Sequence, residues 1–425
     1  MTREEARDIV ENRKRLKSSS RLTKLQNRIR ELGKEEELKS LGKCNKTPIR
    51  NVDTDVVEDR NGKAKVHNMI LCDKEVCPVC MEITKKVLEM VLTIAIRWAR
   101  SKGYIVVMET YKGIVDKNKS NRENVKSFIK SMRKFTARVR HLEEKNGAEF
   151  VFRWLEATFN LILSRVDKHS HVLVFMKEER EQEYEATLEK KREMWYEEYT
   201  KNVYVPEWKR EYFKEHCFYV SRDENGRLKR FEDASYVNKN REEYQGSRSD
   251  YTLQMVQLLD LEDKEYTDYY IEYCEAMNGE RSYGFPRKLK QILLEEFGIG
   301  KKIKGIKGDA LKKLKMLYNK VIKGEEPLED LHIDNMEIEE EMEEEKEDKV
   351  ILRIHHELWY KEILEKEREN YKAREEMLDY ITRDKIKGME DWLIENDIKY
   401  KIANVIHHGK EIPMFYSDYP SDNTT

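Results

Sequence analysis

Apolar and polar positions change rhythm several times along the chain, and each change marks the boundary of a predicted element. Between Met81 and Lys102 apolar residues recur at helical spacing and Gly103 follows, which predicts a helix that stops there. Tyr104-Ile-Val-Val-Met-Glu-Thr110 is a nearly unbroken apolar run and reads as a buried strand. A helix is predicted over 121–145, then two strands, Val151 to Asn160 and His169 to Met176, joined as an antiparallel pair. A charged helix is expected from about Glu178 to Lys201, a strand pair around the Asn225-Gly226 turn, and helices from Phe231 through about Phe297. Before all of these, Cys44 to Cys80 is turn-rich, with Arg60-Asn-Gly62 as a hairpin turn. Towards the end, Val350 to His355 suggests a short strand and Trp359 to Asn396 one or two helices, with disorder expected from Ser417.

These elements describe an α+β chain with a central antiparallel sheet flanked by helices, an N-terminal zinc-binding lobe and a helical C-terminal region. Six segments are expected: a basic helical arm (1–42), a four-cysteine lobe with its helix (43–102), the sheet domain with the following helices (103–297), a basic then acidic linker (298–349), a small C-terminal element (350–416) and a tail (417–425).

Charge modifies this picture. Charged residues make up 39% of the 425, well above the roughly 25% of ordinary globular chains. The formal net charge is only −2, but it is distributed in blocks, and local blocks decide steering. Lys301, Lys302, Lys304, Lys307, Lys312 and Lys313 form a basic run suited to DNA phosphates, whereas Glu337 to Asp348 is almost wholly acidic. No signal peptide is visible, and the most apolar helix, Val87 to Trp98, is too short to span a bilayer. A soluble protein of a reducing cytoplasm is therefore expected, with no membrane partner. Six cysteines, four of them before residue 81 in a metal-like spacing, agree with that compartment.

The chemistry-bearing residues fall into three groups. Cys72-x4-Cys77-Pro-Val-Cys80 supplies three thiolates, with Cys44 as the natural fourth ligand of a structural zinc and His67 in reserve. His169 and His171 alternate on a predicted strand, so both imidazoles can reach one metal ion while Val172 and Val174 face away. Glu156, on the preceding strand, can add a carboxylate, and two histidines with one carboxylate leave open positions for phosphate oxygens. In the third group Tyr236 has Glu232 one helical turn before it and Lys239 on nearly the same face. A phenol needs a nearby cation to favour the nucleophilic phenolate; Lys239 can be that cation or can hold a phosphate, and Glu232 can activate water.

Taken in order, Cys44 with Cys72-x4-Cys77-Pro-x-Cys80, Leu155-Glu156-Ala-Thr158, Asp167-Lys-His169-Ser-His171-Val-Leu173, Glu232-x3-Tyr236-x2-Lys239 and Gln254-x2-Gln257-Leu-Leu259 resemble the plasmid rolling-circle replication initiators of the HUH endonuclease superfamily, single-tyrosine type. Tyr270-x-Glu-Tyr273-x2-Ala276-x2-Gly279-x-Arg281 and the Trp359 region are similar to C-terminal segments of that family. Departures are the single threonine of Met108-Glu109-Thr110, Asp167 where the family often has histidine, and Ser170 between the histidines.

The resemblance implies that Tyr236 attacks one strand at a replication origin, forming a 5'-phosphotyrosine and freeing a 3'-hydroxyl for a host polymerase. It also implies Mg²⁺ or Mn²⁺ on His169 and His171, and water activation by Glu232 at termination. The expected partners are single-stranded or hairpin DNA at an origin, a host helicase and polymerase, and a second copy of the chain in a homodimer. The rival readings are a transposase or relaxase of the same superfamily, and a zinc-containing DNA-binding protein whose nuclease centre is inactive.

Overall fold

Strand Tyr104–Lys112 divides its side chains between two apolar clusters, and this alternation builds the sheet that carries the histidines. Val106 and Met108 pack with Leu173, Phe175, Phe150 and Phe152 beneath the apolar stretch of helix Pro78–Ser101. Ile105 and Val107 pack on the other side with Val172, Val174 and Met176 against Phe128, Phe135 and Val139 of helix Asn121–Lys145 and Trp195 and Tyr199 of helix Leu188–Thr200. Burial on both faces explains why the strand sequences lack a polar alternation, and each such side chain contributes about 1.5–3 kcal/mol on leaving water.

The computed structural model describes residues 1–46, 53–59, 61–67, 69–145, 147–234, 251–299, 309–324, 326–335, 349–407 and 409–418. The chain divides into two compact units, one of Met1–Lys14 with Glu82–Glu337 and one of Arg15–Met81 with Ile338–Thr425. Mixed α and β structure with antiparallel pairing characterises both.

In the first unit six strands form one sheet, every pair antiparallel. Tyr104–Lys112 lies between Phe218–Val220 and Arg165–Lys177; Ala148–Asn160 follows on the far side of Arg165–Lys177 and pairs outward with Thr252–Gln254 and Tyr283–Gly284. The predicted antiparallel pair is therefore present, each strand longer than expected. Gly103, at φ +77°, makes the left-handed turn between the long helix and the first of these strands. Glu109 points away from the histidines into the second cluster, where Lys191 Nζ lies 2.6 Å away and the hydroxyls of Tyr111 and Tyr184 donate to it at 2.6 and 2.7 Å. Burial alone would raise this carboxyl, but Lys191 and the two phenols outweigh it and hold it below the usual carboxylate range.

The second unit is built from both ends of the chain. Its sheet runs Tyr400–His407, Lys410–Ser417, Lys349–Ile354, Thr54–Glu58, Ala64–Val66, with one parallel pairing, between Lys410–Ser417 and Lys349–Ile354. Trp359, Met377, Ile381, Trp392 and Phe415 form its core with Val56 and Leu352. The predicted hairpin is present, turning at Gly62 with φ +72°. Asp59 closes it, accepting from the Lys63 and Asn61 N–H groups and pairing with Lys65 Nζ at 2.6 Å. The Lys65 contact and then the Lys63 N–H lower its carboxyl to about 2. The hairpin's Asp59 contribution is thus complete above the ordinary carboxylate pKa and lost as pH falls towards 2. Asp59→Asn should flatten the acid limb of a stability-versus-pH curve between about pH 4 and pH 2; an unchanged limb would assign the acid sensitivity elsewhere.

Several expectations are corrected. The segment 1–42 is not a free basic arm: helix Ser18–Glu31 buries Leu22, Leu25 and Ile29, while Ser20 donates to Glu375 and Asn27 to the Glu367 carbonyl. Nor are the cysteine lobe and the C-terminal element separate bodies, because Thr54–Glu58 pairs with Lys349–Ile354. Phe231–Ala234 is irregular rather than helical, and Thr252–Gln254 is a strand leading into a 3₁₀ turn, Met255–Asp260. Around Asn225-Gly226 there is a turn closed by the single bridge Arg222–Leu228 instead of two strands. The charged 178–201 segment is helical but interrupted, with two short pieces, Glu178–Arg180 and Glu181–Glu185, before the 13-residue helix Leu188–Thr200, and Ser417 ends a strand. The acidic run 337–348 lies outside the described residues.

Candidate functional site

The histidines occupy the end of the face that begins with Phe175 and Leu173, where apolar packing gives way to polar groups. Register places Thr110 and Trp154 on either side of His171, and Lys112 and Glu156 on either side of His169. Because alternate residues share a face, Thr110, Trp154, Glu156, His169 and His171 all project to one side. Glu156 Oε2 lies 3.2 Å from His169 Nε2 and 3.0 Å from His171 Nε2. An octahedral ion with bonds of about 2.1 Å sets neighbouring ligands about 3.0 Å apart, close to both Glu156–histidine spacings, so the three residues could hold a metal ion. The same spacing also suits plain His–Glu hydrogen bonds.

Supporting contacts fix the imidazoles. Thr110 Oγ1 lies 3.0 Å from His171 Nδ1, which reserves Nε2 for the Glu156 side. The Trp154 indole lies 5.0 Å from the His171 ring, and His171 is 1% exposed. Ser170, the residue between the histidines, donates to the Trp154 carbonyl at 3.1 Å and is thereby satisfied while buried. Trp154 and Ser170 also line an open cleft of about 1390 Å³ whose walls include Tyr283, Phe285, Arg281 and Arg287.

The remaining predicted residues are distributed differently. Glu232 is 64% exposed and pairs with Arg100 of helix Pro78–Ser101 at 3.0 Å, not with a member of the trio. Lys312 and Lys313 lie on helix Asp309–Lys323. Tyr236, Lys239, Lys301, Lys302, Lys304 and Lys307 lie outside the described residues. Thr110 as the Nδ1 partner and Trp154 as the neighbouring ring were not singled out from sequence; the signal for both is cross-strand register with His171, which only the pairing supplies.

In the second unit Cys44, Cys72, Cys77 and Cys80 converge. Their sulfurs are 3.5 Å apart for Cys44–Cys77, 3.6 Å for Cys44–Cys80 and 3.7 Å for Cys72–Cys80. A tetrahedron with Zn–S arms of about 2.3 Å places its corners about 3.8 Å apart, so this cluster could hold a metal such as zinc. The thiols compete for protons: hydrogen bonds from Cys44, Cys72 and Cys77 hold Cys80 far below the usual thiol range, whereas Cys44 and Cys77 are pushed well above it. Four neighbouring thiolates repel one another, and a divalent cation among them offsets that repulsion. His67 is exposed and the set is complete without it.

No protein-family model, curated protein or solved structure matches this chain. Among the described residues no helix is long and apolar enough to cross a membrane.

Proposed function

We propose that the protein is a metal-dependent, site-specific nickase and ligase of single-stranded DNA, an HUH-type initiator that starts and ends rolling-circle replication at a plasmid or viral origin. The observation that carries this reading is the convergence of Glu156 Oε2 on the Nε2 atoms of His169 and His171 from adjacent antiparallel strands. The family resemblance implies Mn²⁺ or Mg²⁺ on this trio, of which Mn²⁺ accepts two imidazoles more readily, and an ion bound there would polarise a scissile phosphate and offset charge on its oxygens. Thr110 and Trp154 hold the His171 ring so that Nε2 faces the ligand position.

Tyr236 is the nucleophile. Its phenolate oxygen attacks phosphorus, the phosphorus–3'-oxygen bond breaks, and a 5'-phosphotyrosine and a free 3'-hydroxyl result; attack by a 3'-hydroxyl reverses the step and rejoins the strand. Lys239 favours the phenolate or holds a phosphate oxygen. Glu232 activates water at termination, and its exposed pair with Arg100 is weak enough to exchange. The cleft beside Trp154 combines aromatic and guanidinium groups, a combination that suits unpaired bases and backbone phosphates. Lys312 and Lys313 add salt-dependent affinity without sequence preference. In the second unit the four thiols hold a structural zinc.

The test incubates the chain with Mn²⁺ or Mg²⁺ and a labelled single strand from its own replicon's origin, comparing wild type with Tyr236→Phe. A covalent adduct formed by wild type and lost in Tyr236→Phe is expected. With no adduct under either metal, the chain would instead be a zinc-containing DNA-binding protein without nuclease activity.

A further inference from the structure

A third set of metal-type donors is brought together in the second unit, apart from the four thiols. Asp53 immediately precedes strand Thr54–Glu58, and His355 and His356 immediately follow strand Lys349–Ile354. These strands are antiparallel with Thr54 opposite Ile354, so the register places the carboxylate and both imidazoles at one end of the pair. One ligand atom from each residue lies within 4.8 Å of the other two. Donors with bonds of about 2.1 Å to a common ion are at most about 4.2 Å apart, and a small rotation of the His356 ring, 46% exposed, can close the difference.

The neighbouring contacts leave the donors available. Asp53 Oδ1 accepts from the His356 N–H at 3.2 Å and lies 3.6 Å from His356 Nδ1. Arg353 reaches the Asp53 Oδ2 only at 3.9 Å, its Nε being committed to Asp55 at 2.7 Å. His355 uses Nδ1 to accept from the Glu357 N–H at 3.4 Å, so that Nε2 is the ring atom that would face a ligand. The two imidazole centroids are 4.1 Å apart.

We propose that Asp53, His355 and His356 bind a divalent late first-row transition ion, Zn²⁺ or Ni²⁺, that clamps the end of the strand pair joining the two halves of the second unit. Two nitrogen donors favour such an ion over Mg²⁺ or Ca²⁺, which take oxygen ligands. A clamp between residues some three hundred positions apart stabilises the folded unit by mass action, since the unfolded chain does not hold the set together.

The experiment uses the untagged full-length chain and Ni²⁺ as the probe, with equilibrium dialysis for stoichiometry and thermal unfolding for stabilisation. Wild type should bind one more equivalent than His355→Gln/His356→Gln, and His169→Gln/His171→Gln should retain that equivalent. Ni²⁺ should raise the melting temperature of wild type by a few degrees and leave the His355→Gln/His356→Gln chain unshifted. Equal Ni²⁺ uptake by wild type and a folded His355→Gln/His356→Gln chain would overturn the proposal. Should that double variant not fold, Asp53→Asn decides: weakened Ni²⁺ binding supports the site, and unchanged binding refutes it.

Discussion

Cys77→Ser is expected to abolish stoichiometric zinc retention by the purified chain and to destabilise the second unit by about 4 kcal/mol or more, the range in which loss of a structural metal falls. Cys77 is fully buried and its sulfur is 3.5 Å from that of Cys44, so serine would replace a soft thiolate with a hydroxyl that ligates poorly and is costly to bury. Cys217 and Cys274, buried outside the cluster, serve as controls: substitution to alanine there should cost about 1 kcal/mol and leave the metal in place. Elemental analysis and denaturant midpoints read both quantities, and a strong chelator should bring wild type to the Cys77→Ser midpoint. Unchanged zinc content and midpoint in Cys77→Ser would reduce the cluster to four neighbouring thiols without a metal.

The second large effect concerns the trio. On the nickase reading, His171→Ala should lower metal-dependent cleavage of origin DNA by about 10³-fold or more, since removing a ligand forfeits several kcal/mol of charge stabilisation. Thr110→Ala, which frees Nδ1 without removing a donor to the ion, should cost about 10–100-fold in metal affinity or activity. Its loss should be recovered largely by raising Mn²⁺, whereas that of His171→Ala should not. A folded His171→Ala chain that cuts at the wild-type rate would mean that Glu156 and the histidines are joined only by structural hydrogen bonds.

Local pattern was enough to read the strands and much of this trio. The apolar runs 104–110 and 169–176 announce strands buried on both faces, and the alternation of His169 and His171 places both rings on one side. Glu156 was legible because its strand and the next form a hairpin, a short-range pairing. The cysteine spacing likewise predicted the cluster that forms. What stayed hidden depends on distant partners: nothing local to 54–58 announces 349–354, so the Asp53 and histidine set was invisible, and so was the packing of helix Ser18–Glu31 with the C-terminal helices. The hairpin of Tyr400–His407 and Lys410–Ser417, with Gly409 at φ +75° in its turn, is not announced by the sequence. The predicted helices end at Asn396 and no element is predicted between there and Ser417, because the first strand is mostly exposed and lacks an apolar core face.

The pairing of Thr54–Glu58 with Lys349–Ile354 also bears on synthesis. A ribosome delivers the cysteines and the first hairpin early, yet the strand that covers Thr54–Glu58 emerges only after the whole six-stranded sheet has been made. The first unit can therefore fold while the chain is still being translated, whereas the second must wait for the C-terminal segment, leaving the Thr54–Glu58 edge open in the interval. Truncation after about residue 340 should thus spare the histidine sheet and produce an aggregation-prone N-terminal remnant. A metal such as zinc, which the four thiols could hold, would on binding early keep that remnant compact until its partner strand arrives.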